Sequence, residues 1–99
     1  MIEQLNWRVE ANQLHLSGEL ERETLLALWD QRESVMKQID TIDVSALERV
    51  DSAGLALLVH LRQIALQQGK KPQFTGITEK LRTLISLYNL QQIIVSRAG

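Results

Sequence analysis

The sequence predicts an α/β fold, a mixed sheet in which an N-terminal β-hairpin leads into β-α-β-α, with the helices packed mainly on one face. Three observations point there. Apolar residues alternate with polar ones from Trp7 to Leu20, the spacing changes to steps of three and four from Thr24, and short alternating segments then recur between helical stretches. Parallel strands need a helix-sized, right-handed crossover, so this order of elements lays helices against a sheet of mixed direction.

Each element carries its own signal. Trp7 and Val9, then Leu14, Leu16 and Leu20 with Gly18 between them, read as two strands joined at Ala11-Asn12-Gln13. Leu25, Leu28, Arg32, Val35, Met36 and Ile39 form the stripe of one amphipathic helix. Ile42 and Val44 make a short strand, and Ala46 to Val50 a loop. The longest helix is expected over residues 52–68, closed by Gly69 at a C-cap position. Pro72 to Ile77 is a strand with Pro72 placed first, where a missing N–H matters least. Thr78 can cap a last helix through Leu81, Leu84, Ile85 and Tyr88, and Ile93-Ile94-Val95 offers a terminal strand or extended tail.

The 99 residues suffice for a single domain, 1–99, with no room for a second core. Hydrophobic residues are 44% and charged residues 23%, the balance of an ordinary globular chain. The longest apolar run, Leu55 to Val59, is far short of the roughly 20 residues that span a bilayer. No basic and apolar leader opens the sequence, so the chain is expected in the cytoplasm. Cysteine is absent, which excludes disulfides and thiolate metal sites. The 11 basic residues are scattered and the net charge is -1, a pattern that argues against nucleic acid as a partner. Gly69-Lys70-Lys71-Pro72 reads as a helix stop and a turn.

Two segments carry a more specific message. Ile42-Asp43-Val44-Ser45 and Val50-Asp51-Ser52-Ala53-Gly54-Leu55 resemble the signature of STAS domains, a strand ending Asp-hydrophobic-Ser followed by Asp-Ser/Thr-x-Gly-Leu at the start of a helix. Leu16-Ser17-Gly18-Glu19-Leu20, Leu28-Trp29, Gly54-Leu55-Ala56-Leu57-Leu58 and Leu87-Tyr88-Asn89-Leu90 resemble, within that family, the STAS subunits of phospholipid-transporting ABC complexes of Gram-negative bacteria. The resemblance implies a non-enzymatic accessory subunit without a cofactor. It would bind and support the cytosolic ATPase subunit, meet the membrane permease only indirectly, and serve the lipid asymmetry of the outer membrane. Its place would be peripheral to the inner membrane, with no direct insertion. An alternative inside the same family is a partner-switching phosphoprotein like the anti-sigma-factor antagonists, with Ser52 the phosphorylated residue.

Physical reasoning bears on the same residues. Ser52 is expected at the N-cap, where its hydroxyl would accept from the N–H of Gly54 or Leu55, and Asp51 would face the positive end of the helix dipole. Capping alone accounts for both; the family implies in addition that Ser52 lies at a partner interface. Gly54 costs about 1 kcal/mol relative to Ala in a helix unless it permits a close approach. Along this helix Leu55, Leu57, Leu58, Val59, Leu61, Ile64, Ala65 and Leu66 sweep an arc of about 220°, interrupted by Arg62, where a sheet needs only about 100°. One flank therefore exceeds the core's needs. The expected partner-binding set is Asp51, Ser52, Ala53, Gly54, Leu55, Val59, Arg62 and Leu66.

Other signals are weaker. His15 and His60 lack companions at metal-ligand spacing, so no metal site is expected. Asp43 and Asp51 stand on different elements with no nucleophile, base and orienting group around them, and no phosphate-cradling glycine pattern occurs. Trp29 is expected at the core edge and Trp7 over the hairpin.

Overall fold

The structure, a computed structural model, describes residues 4–90. The expected segment Ile93-Ile94-Val95 lies outside them. β1 (Asn6–Glu10) and β2 (Gln13–Leu20) form the N-terminal hairpin, antiparallel, with Glu10 opposite Gln13. Ala11 and Asn12 make its two-residue turn with φ of 51° and 66°. Positive φ at both turn positions twists the connection in the sense of the flanking strands.

The chain crosses over through α1 (Leu26–Asp30) and α2 (Arg32–Val35) to β3 (Thr41–Val50), which pairs parallel to β2. α3 (Ser52–Gln67) then leads to β4 (Gln73–Thr75), parallel to β3, and α4 (Glu79–Leu87) follows. The sheet order is β1-β2-β3-β4. This is the mixed α/β arrangement expected from the sequence.

Besides β4, which runs only Gln73–Thr75 where Pro72 to Ile77 was expected and stops before Gly76 at φ 72°, two boundaries differ from expectation. The helix read from Thr24 to Ile39 is two short helices parted at Gln31, whose φ is -106°. The Gln31 N–H donates to the Leu28 carbonyl at 3.1 Å, a tightened turn, and the Arg32 guanidinium donates to the Trp29 carbonyl at 2.7 Å. A side chain thus satisfies a carbonyl that a continuing helix would have bonded to its own backbone. The second difference is Ala46 to Val50, which continues β3 instead of forming a loop. Ala46, Leu47, Arg49 and Val50 pair with Ser17, Gly18, Glu19 and Leu20, with two shifts of register that let the 10 residues of β3 run beside the 8 of β2.

Burial alternates along β2: Leu14, Leu16, Gly18 and Leu20 are buried, whereas His15, Ser17 and Glu19 are half-buried. Ile42, Val44 and Leu47 of β3 join the same core as Leu28, Met36, Ile39, the inner residues of α3, and Leu81 and Ile85 of α4. The helices therefore cover one face of the sheet. Burying each large aliphatic side chain contributes about 1.5–3 kcal/mol, which makes this face the main source of stability.

The helix ends follow their local chemistry. Gly69 takes φ 80° just past α3, while its N–H and that of Lys70 donate to the carbonyls of Leu66 and Ala65, satisfying the last turn. The Thr78 hydroxyl caps α4 by accepting from the Leu81 N–H at 3.2 Å.

Candidate partner-docking site

β3 passes into α3 at Val50-Asp51-Ser52, beside the carboxyl end of β2. The N-cap is Asp51, with extended backbone (φ -102°, ψ -174°) and its Oδ1 accepting from the Gly54 N–H at 2.8 Å. This corrects the expectation that gave the cap to Ser52. Asp and Ser cap about equally well, so the two could not be separated by residue type. Ser52 is the first helical residue, exposed, with its hydroxyl outside the cap.

Asp51 does more than cap. Its Oδ2 accepts from the backbone N–H of Arg22 at 3.0 Å, and its own N–H donates to the Leu20 carbonyl at 3.3 Å. One carboxylate thereby ties the segment after β2 to the start of α3. That segment is ordered from within by Thr24, whose hydroxyl donates to the Glu19 carbonyl at 2.6 Å and accepts from the Glu21 N–H at 2.9 Å. Glu21 also pairs with Arg49 of β3 at 3.1 Å. Glu21, Arg22 and Glu23 face Asp51, Ser52 and Ala53 across an open groove of about 340 Å³. Carboxylates outnumber the lone guanidinium, so the groove beside Ser52 is negative.

Two members of the expected partner-binding set turn inward. A Cβ on Gly54 would overlap the Leu20 carbonyl oxygen, so the close approach glycine permits is used inside the chain, between α3 and β2. Leu55 is 1% exposed and belongs to the core. The first turn of α3 lies over the end of β2, which widens the buried arc there and removes both residues from the exposed surface. Of the others, Ala53, Val59 and Arg62 are half-buried, and Leu66 is 37% exposed. Ser52, Ala56, Val59, Gln63 and Leu66 recur at steps of three and four along the outward face of α3.

Beside that face lies a cluster not singled out from the sequence. The Trp29 ring centroid is 4.7 Å from that of His60, and the Arg32 guanidinium sits 3.9 Å over the Trp29 ring. A cation over an indole face is an attractive arrangement. It joins α1 and α2 to the exposed side of α3. Trp29 and Arg32 stand three residues apart on their own segment, so two of the three members are visible in the sequence; the third, His60, arrives only with the tertiary fold. Trp29 is half-buried against the core, as expected, and so is Trp7.

On the opposite face of the sheet, His15 Nδ1 lies 3.1 Å from Asp43 Oδ2, and Asp43 Oδ1 accepts from the Ser45 N–H at 3.0 Å. Hydrogen bonds from the backbone and side chain of Ser45, then His15, hold the Asp43 carboxyl below its ordinary range against the opposing effect of burial. Asp43 and Asp51 thus have separate partners. Among the described residues, no group of three or more His, Cys, Asp or Glu side chains could hold a metal ion. No helix among them is long and apolar enough to cross a membrane.

Comparison with known proteins bears on the whole chain. Residues 3–96 match the family model described as Mlab, STAS domain. The sequence is 44% identical over 97 residues to the intermembrane phospholipid transport system binding protein MlaB of Escherichia coli strain K12, covering 98% of this chain and 100% of that one. The protein of the same name from Haemophilus influenzae is 33% identical over 103 residues, covering 93% and 97%. Among solved structures, an anti-sigma factor antagonist from Thermotoga maritima, described as putative, superposes with a TM-score of 0.69 at 21% identity, covering 91% of this chain and 82% of that one. Unphosphorylated anti-sigma factor antagonist SpoIIAA follows with a TM-score of 0.61 at 15% identity, covering 86% and 82%. At such identities the likeness is one of fold.

Proposed function

The chain belongs to the STAS family, matching its MlaB model, and from that membership we propose that it is a non-enzymatic accessory subunit of a phospholipid ABC transporter. It binds the cytosolic, MlaF-like ATPase subunit and meets the MlaE-like permease only through that subunit. Its place is the cytoplasmic side of the inner membrane, without insertion, and the transport it serves maintains the lipid asymmetry of the outer membrane. The observation that carries this reading is the 44% identity running the full length of a relative named for phospholipid transport.

The docking surface is the outward face of α3 from Ser52 through Val59 to Leu66, flanked by Ala53 and Arg62 and continued by Trp29 and His60. Ser52 and Ala56 are small enough for a partner backbone to approach, while Val59 and Leu66 offer apolar surface still to be buried. The subunit acts by binding one arrangement of the ATPase more tightly than others; without such a difference it could shift nothing.

A second reading is favoured by one observation, the Ser52 hydroxyl being exposed and free of the cap. A kinase could reach it, and a phosphate would add about -1.5 to -2 charges beside Asp51, Glu21 and Glu23, expelling a docked partner. Capture experiments with the purified chain separate the two. Retrieval of the cognate ATPase, with a saturable change in its ATP turnover, supports the transporter subunit. Retrieval of a kinase with an anti-sigma factor replaces it with the partner switch.

A further inference from the structure

We infer that Asp51 is a positioning residue, whose carboxylate straps segment 21–23 to α3 and so keeps α1, with Trp29, aligned beside the docking face. The inference rests on the docking reading above. Its ground is that Asp51 uses its two oxygens for two tasks, Oδ1 on the Gly54 N–H and Oδ2 on the Arg22 N–H, 29 positions away. A cap needs only one oxygen, and Ser or Asn would serve as well. The second oxygen is therefore surplus to the helix and acts on the loop.

That loop leads directly into α1, which is only 5 residues long. So short a helix has no independent stability; Leu28 anchors its middle in the core, and the alignment of its two ends depends on what ties them. At the far end Trp29 rests against His60, under the Arg32 guanidinium. At the near end Thr24 ties the loop to the Glu19 carbonyl of β2, Glu21 pairs with Arg49 of β3, and the Asp51 carboxylate fastens the loop to the start of α3. Releasing it loosens the near end of α1 about the Leu28 anchor, so the partner must order two elements on docking where it otherwise meets one rigid surface.

Substitution separates the two tasks. Asp51→Ser keeps one oxygen at cap distance but cannot reach Arg22, Asp51→Ala loses both bonds, and Thr24→Val loosens the same loop without touching Asp51. In the full chain, three quantities are measured: amide hydrogen exchange at Arg22 and Gly54, the cross-peaks between the Trp29 and His60 rings, and affinity for the cognate ATPase subunit. In Asp51→Ser the Gly54 amide should stay protected, the Arg22 amide should exchange faster, and the ring cross-peaks should weaken. Affinity should fall about ten-fold, the scale of one hydrogen bond to a charged group. Thr24→Val should follow the same trend. Full affinity in Asp51→Ser with the Arg22 amide freed would overturn the inference. So would lost affinity with the Trp29–His60 cross-peaks intact, because Asp51 would then be touching the partner itself. If the parent chain binds no ATPase subunit, the docking reading fails by itself. The cross-peaks in Asp51→Ser then decide the strap: weakening supports it and no change overturns it.

Discussion

Gly54 in the first turn of α3 lies so close to the main chain of Leu20 that a Cβ at position 54 would overlap the Leu20 carbonyl oxygen. Glycine in a helix ordinarily costs about 1 kcal/mol relative to alanine, so Gly→Ala usually stabilises. Here the sign reverses. Gly54→Ala should lose about 1–3 kcal/mol, because a backbone atom cannot step aside as a side chain can. Urea unfolding measures it, and a variant as stable as its parent would mean that α3 lifts from β2 without cost.

Two leucines of α3 should behave as opposites. Leu55 is 1% exposed, and Asp there places a charge in the core of a small domain whose net stability is only about 5–15 kcal/mol. Leu55→Asp should unfold. Leu66 is 37% exposed, and Leu66→Asp should stay folded, losing about 1 kcal/mol or less, while ATPase capture weakens. Circular dichroism beside a pull-down reads both. An unfolded Leu66→Asp would move that flank into the core and away from any interface.

Cap and first helical residue divide stability from binding. Asp51→Ala should cost about 0.5–2 kcal/mol through the lost cap. Ser52→Ala, whose hydroxyl lies outside the cap, should change stability by less than about 0.5 kcal/mol. Ser52→Glu should fold too, since a carboxylate suits a helix N-terminus. It should nevertheless bind the ATPase several-fold less well, adding bulk and negative charge to a groove already rich in carboxylates. Unchanged affinity for Ser52→Glu would take that residue out of the interface.

Acid stability should depend on Asp43. Its carboxyl is held below the ordinary 3.8 by Ser45 and His15. A depressed folded-state pKa contributes stability that is present above the unfolded value and lost as pH falls through the folded one. The window therefore lies below pH 3.8. Asp43→Asn should be less stable than the parent at neutral pH, and the gap should close in acid. Urea midpoints on both sides of that value test it; a gap constant with pH would show that the carboxylate gains nothing from its neighbours.

The fold class, the hairpin, the three crossover-linked strands and the long central helix were legible because apolar spacing reports which face of an element is buried. What escaped were features that leave spacing untouched. The break at Gln31 is invisible in the stripe Leu25, Leu28, Arg32, Val35, Met36, since all of these remain in phase while Arg32 bonds the Trp29 carbonyl. The second half of β3 was misread for the opposite reason: its register shifts put Ser45 and Ala46 both outward before Leu47 turns in, erasing the alternation. At the candidate site the motif was evident, but not its direction. Periodicity could place Leu55 on the edge of an apolar arc, and only the position of β2 under the first turn of α3 decides that this edge is buried.

Contacts of very different reach along the chain assemble this sheet, and that fixes when binding becomes possible. β1 and β2 can close as soon as the turn at Ala11 and Asn12 forms, a local event on the microsecond scale. The pairing of β2 with β3 must wait for residues 28 positions apart to meet, as His15 and Asp43 do, and such non-local pairings are the slow ones. Gly54 can seat on Leu20, and Asp51 reach Arg22, only once that pairing exists. The candidate docking surface is therefore expected to be finished last, together with the core, so that a newly made or half-folded chain does not yet present it.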